Sequence, residues 1–189
     1  LLAGDAGTGK SATVKAIANA FKGDGLRLIE LNKDQLCYIP QIMDHLCKNP
    51  LKFILFIDDL TFSEDDPNFG TLKATLEGSI AARMRNTVIY ATSNRRHLVK
   101  ETFDDGSDKH SNDTVQERIS LSERFGITIT YSRPQNLYLE IVHALAEQNS
   151  LDITMEELDA QAEQFALQKS GRSARAAKQL IDQLLTQRS

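Results

Sequence analysis

Up to residue 133 the apolar residues of this chain fall into short dense runs, and beyond it they fall into helical spacing alone. The runs are Leu26–Leu31 (LRLIEL), Phe53–Ile57 (FILFI), Thr87–Ala91 (TVIYA) and Ile127–Tyr131 (ITITY). Phe53–Ile57 is continuous, as expected of a central parallel strand covered on both faces, and the other three have the apolar density of buried strands. Residues 1–3 read as the end of another strand, cut off at its start, because the glycine-rich stretch after them is one that strands deliver into helices. Helical spacing predicts helices over Ser11–Phe21, over Ile39–Leu46 with Pro40 in the first turn, and over Leu72–Arg83. Strands alternating with helices imply a parallel, wound sheet. Residues 100–115 carry little to bury and are expected to form a mobile loop. After Pro134 the pattern predicts helices at Leu137–Gln148, Thr154–Ser170 and Ser173–Thr186, with no strand between them. The expected organisation is a sheet domain over residues 1–133 and a small helical subdomain over 134–189.

Composition narrows this picture only slightly. The 189 residues are 41% hydrophobic and 25% charged, ordinary for a water-soluble domain. No apolar run approaches the ~20 residues of a membrane span. The formal charge of −4 argues against a surface given over to nucleic acid, which is therefore not indicated as a partner. Cys37 and Cys47 lack metal-ligand spacing and read as reduced structural thiols in a cytoplasmic protein. The chain opens at Leu1 without a methionine and reads as a fragment.

Chemistry enters with residues 4–11. Gly4-Asp5-Ala6-Gly7-Thr8-Gly9-Lys10-Ser11 fits the pattern G-x-x-x-x-G-K-[ST], placed between a strand end and a helix start as that pattern requires. Glycines let backbone N–H groups turn inward as an anion nest, and the helix N-terminus adds partial positive charge toward a bound phosphate. Lys10 is expected to reach the β- and γ-phosphates of ATP, and the Ser11 hydroxyl to ligate magnesium. The FILFI run ends in Asp58-Asp59, which puts two carboxylates at the carboxyl end of a central strand, where open parallel sheets bind ligands. Asp58 is the expected magnesium-holding acid. A second strand ends in Thr92-Ser93-Asn94, whose amide would bridge the γ-phosphate and the attacking water.

The order P-loop, strand with acids, TSN, Ser-Glu-Arg-Phe-Gly (122–126) and Gly171-Arg172-Ser173-Ala174-Arg175 resembles the AAA+ layout. The segments GLRLIELNKDQL, FILFIDDLTF, LKATLEGSI, IYATSNRRHLV and ISLSERFG together resemble a bacterial family of P-loop ATPases catalogued as a domain of unknown function, over nearly the whole chain. The resemblance implies an α/β P-loop sandwich of three layers with a parallel sheet and a C-terminal helical lid. By it, Asp59 stands where many AAA proteins carry a water-polarising glutamate, one methylene longer, and Asn94 takes the sensor-1 role. Arg124 matches an arginine finger that reaches the ATP of the next subunit, which implies a homo-oligomer acting on an unspecified macromolecular partner. Arg175 matches the sensor-2 arginine of the lid and Arg172 competes for the role, while either arginine could instead pair with Glu163 or Asp182.

Other residues have plainer readings. Glu64 and Asp65-Asp66 are solvated acids that would otherwise share the role of Asp59, and Arg95-Arg96-His97 read as a solvated basic turn, open to nucleic acid, to a partner's acids or to a phosphate-proximal or intersubunit role. Tyr38 is expected to pack, and His45, His110 and His143 show no ligand spacing. The leading expectation is an oligomeric ATPase that couples hydrolysis to remodelling. A P-loop small-molecule kinase and an ATP-gated interaction module with little hydrolysis are the alternatives.

Overall fold

A computed structural model of the chain describes residues 1–62, 66–77, 85–94, 121–134, 136–169 and 171–187. Glu64, Asp65, Arg95-Arg96-His97, His110, the polar stretch 100–115 and the end of the helix expected to reach Arg83 lie outside the described residues. Two compact units are present, one formed by Leu1–Gly4 with Lys10–Thr130, the other by Asp5–Gly9 with Tyr131–Ser189.

In the first unit, β1 (Leu2–Gly4) leads to α1 (Lys10–Ala20), β2 (Leu26–Leu31), a 3-10 turn (Lys33–Tyr38), α2 (Ile39–Leu46), β3 (Lys52–Ile57), α3 (Pro67–Glu77), β4 (Thr87–Ser93) and β5 (Ile129–Tyr131). The strands form one sheet in the order β2-β3-β4-β1-β5. Parallel pairing joins β2 to β3, β3 to β4 and β4 to β1, with Leu55 opposite both Ile29 and Ile89, and Leu2 opposite Thr92. Strand β3 is the apolar run FILFI preceded by Lys52, and each residue from Phe53 to Ile57 is buried because both its neighbours and both its faces are covered. Edge strand β2 is only half-buried. Leu31, Leu36, Ile39, Met43, Leu55 and Ile57 belong to the apolar core of this unit.

Helix α3 starts five residues before the expected Leu72. Pro67 takes the first helical position, where its missing N–H costs nothing, and the Asp66 carboxylate accepts the Asn68 N–H at 3.0 Å. Lys33 pairs with Asp66, and that bond with the Asn68 amide outweighs burial to hold the Asp66 carboxyl below its usual range. Tyr38, expected to pack, is 53% exposed, because its 3-10 turn points Leu36 inward instead. The two cysteines are free and exposed, not part of the core.

The second unit holds α4 (Tyr138–Gln148), α5 (Met155–Gln168) and α6 (Ala174–Gln187). Its core joins Tyr138, Val142, Leu158, Leu180 and Ile181 to Ala146, Ala162, Ala166, Ala176 and Ala177. Small side chains let the helix backbones approach, and the buried Tyr138 hydroxyl donates to the Ala162 carbonyl at 3.1 Å. No helix among the described residues is long and apolar enough to cross a membrane.

Candidate nucleotide site

Three strands of the sheet end at one place, and the polar residues at those ends bond to one another. Lys10, 5% exposed at the start of α1, donates from Nζ to the Gly4 carbonyl at 2.9 Å and to Asn94 Oδ1 at 3.0 Å. Asn94 Nδ2 in turn donates to Asp59 Oδ1 at 2.6 Å. The Ser11 hydroxyl donates to Asp58 Oδ1 at 2.6 Å, and the Thr92 hydroxyl donates to the same oxygen at 2.5 Å. Strand register explains the meeting. Ile57 lies opposite Ala91, so Asp58, the first residue past the end of β3, comes beside Thr92, which is still within β4. Burial pushes the Asp58 carboxyl up, but the Ser11 and Thr92 hydroxyls, the Asp59 amide and the charge of Lys15 together hold it below its ordinary value. Asp58 is thus kept ionised, as a cation ligand must be. An ionised carboxylate bonded to a serine hydroxyl suits a hard cation such as magnesium, which takes few protein oxygens and keeps its waters.

The other part of the motif belongs to the helical unit. Gly7 and Gly9 have φ of +77° and +96°, a region that L side chains rarely adopt. A Cβ on Gly7 would lie 3.1 Å from the Cβ of Arg175. The reason is a cap: the Gly7 carbonyl accepts the Arg175 N–H at 3.2 Å, and Ser173 Oγ accepts the Ala176 N–H at 3.1 Å. Two N–H groups in the first turn of α6, which no helix can satisfy internally, find acceptors this way. Arg133 pairs with Asp5 at 3.8 Å. Arg172 makes two bonds to Glu163, at 2.8 and 3.1 Å.

Arg124 lies just after a helical turn at residues 121–123 and forms an ion pair with Glu77 at the end of α3. His143 faces Asp159 at 2.5 Å between α4 and α5, and His45 is exposed. Sequence reasoning singled out neither Thr92 as a bonding partner of both acids nor Glu77 as the partner of Arg124. A threonine beginning the polar Thr92-Ser93-Asn94 end of an apolar strand was the available signal for the first. For the second there was none, since Glu77 and Arg124 are distant in the chain.

The chain belongs to the family described as "Protein of unknown function (DUF815)", whose pattern matches residues 1–188. Its fold is that of the AAA+ P-loop NTPases, as solved structures make plain. The Thermotoga maritima RuvB Holliday junction branch migration motor superposes with a TM-score of 0.58 at 16% identity, covering 100% of this chain and 55% of that one. AMPPCP-bound DnaA from Aquifex aeolicus gives 0.61 at 18% identity, over 98% of this chain and 55% of that one. A replication initiator DnaA bound to AMPPCP and single-stranded DNA gives 0.60 at 18% identity, over 97% and 54%. The chain therefore spans just over half the length of these proteins. Among curated proteins, none matches it in sequence.

Proposed function

We propose that this chain binds ATP with magnesium and hydrolyses it as an AAA-type module of a homo-oligomer, in the cytoplasm, to remodel a macromolecular partner. The carrying observation is the bonded set Lys10–Asn94–Asp59 beside Ser11–Asp58, gathered where β1, β3 and β4 end. In this reading the backbone of Gly4, Asp5, Ala6, Gly7, Thr8 and Gly9 wraps the phosphates, and Lys10 sets its charge against the β- and γ-phosphates. Ser11 and Asp58 would hold magnesium, which when bound neutralises phosphate charge. Asp59 takes the proton of the attacking water as its oxygen bonds to the γ-phosphorus and the bond to ADP breaks. Asn94 orients that water against the phosphate, and Arg175, whose backbone already sits on Gly7, is the lid arginine of this reading. Arg172 is occupied by Glu163, which supports Arg175 over it.

Arg124 is the proposed finger for a neighbouring copy. Its pairing with Glu77 within the chain favours a second reading, an ATP-gated interaction module, since an arginine so engaged serves no other subunit until it is released. That RuvB is a branch migration motor, and one of those DnaA structures is bound to single-stranded DNA. With a charge of −4 this chain offers no general basic surface, so the proposed partner stays a macromolecule of unspecified class.

ATP turnover per subunit, measured against protein concentration, tests the proposal. Turnover should rise steeply with concentration, and Arg124→Ala should lower it by about 10³-fold with ATP affinity nearly unchanged. Turnover that is appreciable but flat with concentration would sink the assembled motor in favour of a monomeric hydrolase or kinase. Tight ATP binding with negligible turnover at every concentration would leave the gated module.

A further inference from the structure

Asp59 has φ of +51°, one of two non-glycine residues with positive φ among the described residues. The left-handed region costs an L-residue roughly 1–2 kcal/mol, and aspartate and asparagine tolerate it better than other side chains. This backbone gives a physical reason for aspartate at a position where a glutamate would be longer. Something must hold the corner, and the bonds around it identify Thr92. The Asp59 N–H lies 2.9 Å from Thr92 Oγ1 and 3.1 Å from Asp58 Oδ1. Thr92 Oγ1 spends its one proton on Asp58 Oδ1 at 2.5 Å and accepts the Asp59 amide with a lone pair. On the far side of the corner, the Leu60 N–H donates to the Thr92 carbonyl at 2.7 Å.

Thr92 is 1% exposed, on β4 between Ala91 and Ser93 and opposite Leu2 of β1. Valine has nearly the same shape and would fill that buried space. A buried hydroxyl costs about 1–3 kcal/mol when unbonded, so its presence there is accounted for by its two bonds, and both run to the acid pair. All the hydrogen bonds that Asp58 accepts from described residues fall on Oδ1, including those from Ser11, Thr92 and the Asp59 amide. Oδ2 is left for a cation or its water. The same corner carries the Asp59 carboxylate to Asn94, and through Asn94 to Lys10.

We infer that Thr92 is a positioning residue: its hydroxyl clamps the Asp58–Asp59 corner in the left-handed turn, fixing one acid for magnesium and the other for the attacking water. The assignment of those two tasks rests on the ATPase reading above, while the clamp itself rests on the bonds alone.

Thr92→Val removes the hydroxyl at constant shape and Thr92→Ser keeps it. Two readouts are taken on the full chain: the Asn94 side-chain amide resonances by NMR without nucleotide, and kcat together with the ATP Kd. In Thr92→Val the Asn94 amide should move to the position of a solvent-exposed asparagine. Its kcat should fall by about 10²-fold, the scale of an ångström of misplacement, with Kd within about two-fold. Thr92→Ser should restore both. Wild-type resonances and kcat in Thr92→Val would overturn the clamp, and so would a serine variant as impaired as the valine one, since the methyl group would then be what matters. If Thr92→Val does not fold, Thr92→Ala is read against Thr92→Ser in the same way. No turnover in the unsubstituted protein, with the Asn94 resonance still moving as stated, would overturn the hydrolysis reading and uphold the clamp.

Discussion

The two units of this chain solve the same packing problem with different side chains. The sheet unit fills its core with Leu31, Leu36, Ile39, Leu55, Ile57 and Phe62, whose bulk spans the gap between a sheet and its covering helices. The helical unit sets Ala146, Ala162, Ala166, Ala176 and Ala177 among Tyr138, Val142, Leu158, Leu180 and Ile181, so that five of its buried positions carry only a methyl group. Polar groups differ in the same sense. In the sheet unit they gather at the strand ends and bond to each other, side chain to side chain, as in Ser11–Asp58 and Asn94–Asp59. In the helical unit the buried Ser173 hydroxyl, together with the Gly7 carbonyl, finishes a helix end instead, at the start of α6. The contrast teaches that one unit is sensitive to lost volume and the other to added volume.

Each half of that contrast can be broken by substitution. Phe56→Ala, at a side chain with no exposure on β3, should cost about 3–5 kcal/mol in a denaturant melt. A loss below 1 kcal/mol would mean that the sheet core collapses around the gap. Ala177→Leu runs the other way, adding bulk at a fully buried alanine, and should cost about 1–3 kcal/mol. A stabilised variant would show that the helices have room to spare. Ser173→Ala leaves the Ala176 N–H without its acceptor and should cost about 1 kcal/mol, read most directly as lost hydrogen-exchange protection in the first turn of α6.

The smallest effect is on the pH dependence, and it belongs to the sheet unit. Asp58 and Asp66 are both held below the ordinary carboxylate range in the folded chain. Their contribution is therefore complete above the unfolded value, about 4, and is lost as pH falls through the lower folded values. Urea midpoints should decline as the pH drops below about 4, and less steeply in Asp58→Asn. An Asp58→Asn profile parallel to that of the unsubstituted protein would mean that Ser11 and Thr92 bond either form of the group equally.

Much of this is legible in the sequence alone. Leu26–Leu31 and Ile39–Leu46 coincide with β2 and α2 as the apolar pattern places them, because a short apolar-rich run and a helical stripe leave different spacings. The start of α3 was not legible, since helical spacing begins only at Leu72 and the Asp66 cap shows only in its bond to the Asn68 amide. Residue types at the candidate site were readable too, from the glycine-lysine-serine motif and from acids at a strand end. Their bonding was not.

By itself, then, the sequence determined the order of strands and helices, though not every boundary, and the chemical inventory of Lys10, Ser11, Asp58, Asp59 and Asn94, because periodicity and local motifs are properties of neighbouring residues. Only the tertiary structure decided that Thr92 serves both acids, that Glu77 engages Arg124, and that residues 5–9 belong with the helices through Gly7 and Arg175. Those pairings join residues far apart in the chain. Strand register and backbone approach set them, and no local pattern encodes either.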